Sequence, residues 1–177
     1  MFSARIAAVA AVAIALQPIT ASAQTSCVTE AEVGAVAIYS VPSLIQAVRL
    51  KCEGQLSTSG YLARRGDGLT GRYTALQHRI WPRAKSGMLK VLNNRSAAAD
   101  GRQLLDTIDA LPDNAVRPLV DAWITQEASS RIAVKNCQRI EWVIEAMSPV
   151  DPEVAGGVLG AIVGLVDPDQ MPVCLRS

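Results

Sequence analysis

Four cations carry the clearest chemical pattern in this chain. Arg72, Arg79, Arg83 and Lys90 are spaced so that one continuous helix, turning about 100° per residue, brings them within an arc of roughly 40°. A row of four positive charges can hold phosphates, acidic polysaccharide or the acidic face of a protein. The same row is also what a solvated helix face looks like, or a face turned toward the chain's own acids. Pro82 lies between Arg79 and Arg83, and a kink there would scatter the row.

The other reactive side chains form weaker patterns. His78 is the only histidine, so neither a general base nor a metal ion finds a second imidazole. There is no HExxH, no nucleophile elbow and no phosphate loop. Asp106/Asp109 and Glu141/Glu145 stand at helical spacing. Such pairs could serve as a glycosidase-like acid/base dyad, but solvated helix faces carry them in most proteins. Arg65-Gly66-Asp67 is an RGD tripeptide, and the Gly-Asp-Gly that follows reads as an ordinary turn. No metal, cofactor or nucleic acid is expected from these residues, and catalytic residues cannot be named.

The four cysteines are more informative. Cys27, Cys52, Cys137 and Cys174 are even in number and contain no CxxC, which favours two disulfides over a zinc site or a redox pair. Three pairings exist. A straight helix from Cys27 to Cys52 would hold them about 37 Å apart, whereas a disulfide needs Cα atoms within about 7 Å. A reversal at Ser40-Val41-Pro42 makes two equal arms and returns Cys52 to Cys27. A turn at Ser148–Asp151 does the same for Cys137 and Cys174. The expected pairs are therefore Cys27–Cys52 and Cys137–Cys174, each closing the open end of a helical hairpin.

Compartment follows from the N-terminus. One basic residue, Arg5, precedes an unbroken apolar run from Ile6 to Leu16, then Pro18 and Ala21-Ser22-Ala23. These are the three zones of a secretory signal peptide, with cleavage expected after Ala23. Eleven apolar residues fall well short of the roughly 20 that span a bilayer. The expected mature protein is one domain, residues 24–177, without a transmembrane segment, in the periplasm or outside the cell. Its charges balance but are unevenly spread. Residues 49–102 carry 11 basic and 3 acidic side chains, and residues 103–177 carry 5 basic and 11 acidic.

The elements that must position these residues read as helices throughout. Thr29-Glu30-Ala31-Glu32 is a capping box. Pro42 is expected to end or bend the first helix, and Gly54 to stop the next. A helix from Gly71 to Leu92 carries the cations. Asp100 caps a shorter one with Leu104, Leu105, Ile108 and Leu111, and another follows Pro112-Asp113. Residues 128–147 read as helix with a break near Asn136. Asp151-Pro152-Glu153 is a strong start signal for a last helix ending near Val166, before Asp167-Pro168-Asp169. No period-two alternation calls for a sheet. The fold class is all-α: a compact bundle of about six to eight short helices with two disulfide-stapled hairpins.

That last helix is apolar all round, VAGGVLGAIVGLV, with Gly156, Gly160 and Gly164 at every fourth position. Each glycine costs about 1 kcal/mol of helix preference against alanine. Close approach of a neighbouring helix would offset that cost, and a self-association face is the alternative. A membrane span is excluded by its 13 residues.

Cys27 and Cys52 around Pro42, then Lys135-Asn136-Cys137, Ser148-Pro149 and the late Cys174, resemble uncharacterised secreted helical proteins of alphaproteobacteria. The resemblance spans the mature chain, implies an envelope location and brings no activity with it. The expected function is a non-catalytic periplasmic interaction or binding module whose partner is an envelope protein. Attachment to an anionic envelope component, lipid or polysaccharide, through the basic ridge is the alternative. An enzyme with an unrecognised site is the third. Oligomeric state is left open by the sequence.

Overall fold

A computed structural model describes residues 27–95, 106, 108–166 and 173–174. The signal peptide and its cleavage site lie outside the described residues, as do Asp100, Leu104, Leu105 and the Asp167–Asp169 stop. The described chain is all-helical. Its elements are α1 (Glu30–Lys51), α2 (Tyr61–Arg95), α3 (Asp113–Arg131), a 3-10 turn (Val134–Asn136), α4 (Cys137–Met147) and α5 (Pro152–Val166). The only β pairing among the described residues is an isolated parallel bridge between Val28 and Val173.

Local chemistry sets several boundaries as expected. Thr29 Oγ1 accepts from the Glu32 amide at 3.2 Å while Glu32 Oε2 accepts from the Thr29 amide at 2.8 Å, closing the capping box. Gly54, at φ +77°, takes the left-handed conformation just past α1. At α5, Asp151 Oδ1 accepts from the amides of Glu153 and Val154 at 2.9 and 3.2 Å, with Pro152 in the first turn.

The helices are longer than expected. α1 runs unbroken through Pro42, and α2 runs for 35 residues through Pro82. The Arg65–Gly68 segment is part of α2, not a turn. A proline removes one hydrogen bond and obstructs the carbonyl four residues back. In α2 both Pro82 and His78, whose carbonyl is freed, are exposed, so water can take that carbonyl. In α1 the burial of Ile38, Tyr39, Ile45 and Val48 on both sides of the proline outweighs its local preference.

α1 is the centre of the molecule. α2 returns antiparallel to it, with Lys90 beside Glu32, Gln77 Nε2 donating to the Tyr39 carbonyl at 3.0 Å, and Arg49 donating to the Leu62 carbonyl at 3.0 Å. α3 covers a second side, where Thr125 Oγ1 donates to the Ser43 carbonyl at 3.4 Å. α5 covers a third and runs antiparallel, with Gly156 against Gly34 and Ile38 and Gly160 against Glu30. α4 rests on the start of α2, where Glu141 Oε1 accepts from the Leu62 amide at 2.9 Å and so caps a helix that has no acid in its own first turn. By length and composition α1 could cross a membrane, but half of its most apolar stretch is buried within the fold.

The continuous α1 corrects the expected disulfide pairing. Its 22 residues place Cys27 and Cys52 at opposite ends, about 33 Å apart. Cys27 is bonded instead to Cys174, Cα atoms 5.0 Å apart, and Cys52 to Cys137, at 5.6 Å. Neither Cys27–Cys52 nor Cys137–Cys174 forms, and neither bridge closes a local hairpin. The Val28–Val173 bridge, with the Cys174 amide donating to the Val28 carbonyl at 3.0 Å, brings the C-terminal segment to Cys27. The chain between α3 and α4 brings Cys137 under the far end of α1. Two disulfides are the mark of a chain that folds in an oxidising, extracytoplasmic space.

Candidate functional site

Three of the four ridge cations are engaged within the chain. Arg72 donates to the Ser148 carbonyl. Arg79 pairs with Glu153 at 2.6 Å. Lys90 Nζ donates to both oxygens of Glu32, at 2.8 and 2.9 Å. Arg83 is exposed and forms no ion pair among the described residues. Pro82 does not break α2, which carries all four cations, and three of them fasten α2 to α1 and to the α4–α5 region.

Glu32 shows how firmly. It is buried, and burial alone would raise its pKa. Hydrogen bonds from Lys90, from the amide and hydroxyl of Thr29, and from Ser86 at 2.7 Å outweigh that and hold it at about 2. It is a structural anion that joins the start of α1 to α2.

The paired carboxylates do not form a dyad. Glu141 caps α2 while Glu145 is exposed. Asp109 lies 3.5 Å from Lys85 and Asp106 is exposed. His78 is exposed on α2. Within the RGD tripeptide, Asp67 pairs with Arg49 at 2.7 Å and Gly66 packs beneath the Arg49 guanidinium, so the tripeptide is not presented on a loop. Among the described residues no group of three or more His, Cys, Asp or Glu could hold a metal ion.

One polar cluster is buried where α1, α2 and α3 meet. The Tyr39 and Trp81 rings lie 4.9 Å apart, and the Arg117 guanidinium stands 6.0 and 5.9 Å from their centroids. Burial pushes the Tyr39 phenol to about 12, with Arg117 drawing it down and Asp121 adding to the rise. Asp113 is held below the ordinary carboxylate range by the Trp81 indole N–H and, after it, by Lys85. Tyr39 Oη, Trp81 Nε1, Arg117 Nε and Asp121 Oδ1 are buried in the cluster without a partner at hydrogen-bond geometry among the described residues, so ring packing and the cation–ring contacts are what join the three helices here. A shallow open depression beside them is lined by Pro42, Ser43, Gln46, Gln77 and Asp121. Glu32 and Asp113, the carboxylates with lowered pKa, lie outside it.

Another feature that the packing leaves open is on α5. Its inner side uses the glycines as expected. A Cβ on Gly156 would stand 2.5 Å from Ile38 Cδ1, one on Gly34 would stand 2.6 Å from the Gly156 carbonyl oxygen, and one on Gly160 would collide with the Glu30 carbonyl. The outer side is equally apolar and is open. Val154, Val158, Ile162 and Leu165 are 58, 53, 49 and 85% exposed, and Gly157, Leu159 and Ala161 are exposed beside them. At 100° per residue Gly157, Ala161, Val154, Leu165, Val158 and Ile162 cover about 140° of the helix circumference, and the buried Ala155 separates Leu159 from them. No charged side chain interrupts them. The signal was present in the sequence, since a helix apolar all round cannot bury every side against one neighbour. The glycines drew attention to the inner side alone.

Compared with protein-family models, with curated proteins and with solved structures, the chain matches none of them.

Proposed function

We propose that this chain is a non-catalytic interaction module of the bacterial periplasm, and that the outer side of α5 is its contacting surface. The observation that carries this reading is the open apolar stripe Val154, Val158, Ile162 and Leu165 on a rigidly seated helix. Soluble monomers rarely leave contiguous apolar patches larger than a few hundred Å² facing water. The seat is rigid because three close glycine contacts and the Cys27–Cys174 bridge hold α5 and the chain after it against α1. The periplasm is favoured by the signal-peptide pattern and the two disulfides together.

Attachment to anionic lipid or polysaccharide through the ridge has less support. Arg72, Arg79 and Lys90 are already bound to internal acceptors. The test is a photo-crosslinking residue placed at Val158 in the cell, with Ala63, exposed on α2, as the control position. A protein adduct at Val158 that is absent at Ala63 is the expected result. If Val158 forms no adduct with any protein, its own copies included, the reading fails.

A further inference from the structure

We infer that the outer side of α5 takes a second copy of this chain, in a two-fold pair of α5 helices. This rests on the reading that the α5 surface is a contact site, and adds the identity of the partner. Three observations point to self-association.

The first is area. Val154, Val158 and Ile162, each about half exposed, Leu165, 85% exposed, and the small residues between them leave about 500 Å² of apolar surface on each copy. Two such faces together remove about 1,000 Å², the level a specific interface must clear.

The second is shape. Val154, Val158 and Ile162, four residues apart, make one ridge along the helix. Gly157 and Ala161 make the adjacent row, and nothing lies within 4 Å of where a Gly157 side chain would begin. A ridge beside a trough is complementary to itself. A two-fold axis running along the helices sets each copy's ridge opposite the other's trough, in the packing where rows four residues apart interdigitate.

The third is charge. Within α5 the face has no charged group and none that hydrogen-bonds through its side chain, so nothing on it selects a polar partner. An interfacial helix lying on a membrane would carry lysine or arginine at its borders. α5 has no basic residue and starts with Asp151 and Glu153.

Sedimentation velocity of the mature oxidised protein tests this across about 1 μM to 1 mM. The expected result is a reversible monomer–dimer equilibrium with Kd on the order of micromolar. Ile162→Glu, on the exposed ridge, is expected to weaken it at least tenfold with the thermal unfolding midpoint little changed. Gly157→Leu fills the trough and adds apolar surface. It is expected to abolish the dimer if the ridge must enter the trough, whereas indiscriminate stickiness would increase. A wild-type chain that stays monomeric over the whole range overturns the inference. So does a dimer that survives Ile162→Glu, or one that Gly157→Leu leaves intact or strengthens. If the crosslinker at Val158 captures another protein while the chain sediments as a monomer, the second copy is wrong and the contact surface stands.

Discussion

Glu32 is a buried carboxylate that its neighbours hold ionised. It completes the cap of α1 and anchors Lys90 of α2 at the same time. Its pKa of about 2 lies below the ordinary 4.5, so folding favours the ionised form. The stabilisation is therefore fully present above pH 4.5 and is lost as the pH falls from 4.5 through about 2. With solvent screening allowed for, it is worth about 1–2 kcal/mol. Urea unfolding at pH 7 and at pH 3 checks this. Glu32→Gln is expected to lower stability at pH 7 by about that amount and to flatten the decline below pH 4.5. An acid limb as steep in Glu32→Gln as in the wild type would mean that other carboxylates govern acid unfolding.

At the scale of elements, the two sides of α5 respond oppositely to the same substitution. Gly160→Ala puts a methyl group against the Glu30 backbone carbonyl, which belongs to another helix and cannot rotate away. The α1–α5 spacing must widen, at an expected cost of about 1–3 kcal/mol. Gly157→Ala, only three residues distant, meets nothing. It is expected to stabilise the fold by up to about 1 kcal/mol through helix preference alone. Thermal or urea unfolding of the two variants side by side gives both signs, and equal effects would contradict the close α1–α5 contact.

At the scale of the molecule, the disulfides join distant parts of the chain. Cys27–Cys174 links residues 147 apart and Cys52–Cys137 links residues 85 apart. Loops of that length give about 4.5–5 kcal/mol each in the chain-entropy model. Replacing Cys52 and Cys137 together by alanine is expected to cost about 2–5 kcal/mol in urea unfolding. Proteolysis without reductant is expected to release one peptide pair containing Cys27 with Cys174 and another containing Cys52 with Cys137. Recovery of Cys27 with Cys52 would require α1 to fold back on itself and would overturn the arrangement of the described helices.

The sequence by itself determined what is local. A hydroxyl and a carboxylate three residues apart made the cap at Thr29 and Glu32, and Asp-Pro-Glu made the start of α5, because both motifs satisfy helix amides from within a single turn. The all-helical class and the need for a close neighbour at Gly156 and Gly160 were legible for the same reason. What joins distant residues was decided by the tertiary structure. Pro42 argued locally for a reversal, and the hairpin pairing of the cysteines followed from it. Packing of α2, α3 and α5 around α1 kept that helix unbroken and paired Cys27 with Cys174 and Cys52 with Cys137, each far away in sequence. Packing also decided that Arg72, Arg79 and Lys90 would be fastened internally and that the outer side of α5 would stay bare. An amphipathic pattern shows that a side must be covered, but only the placement of the other helices shows which sides are.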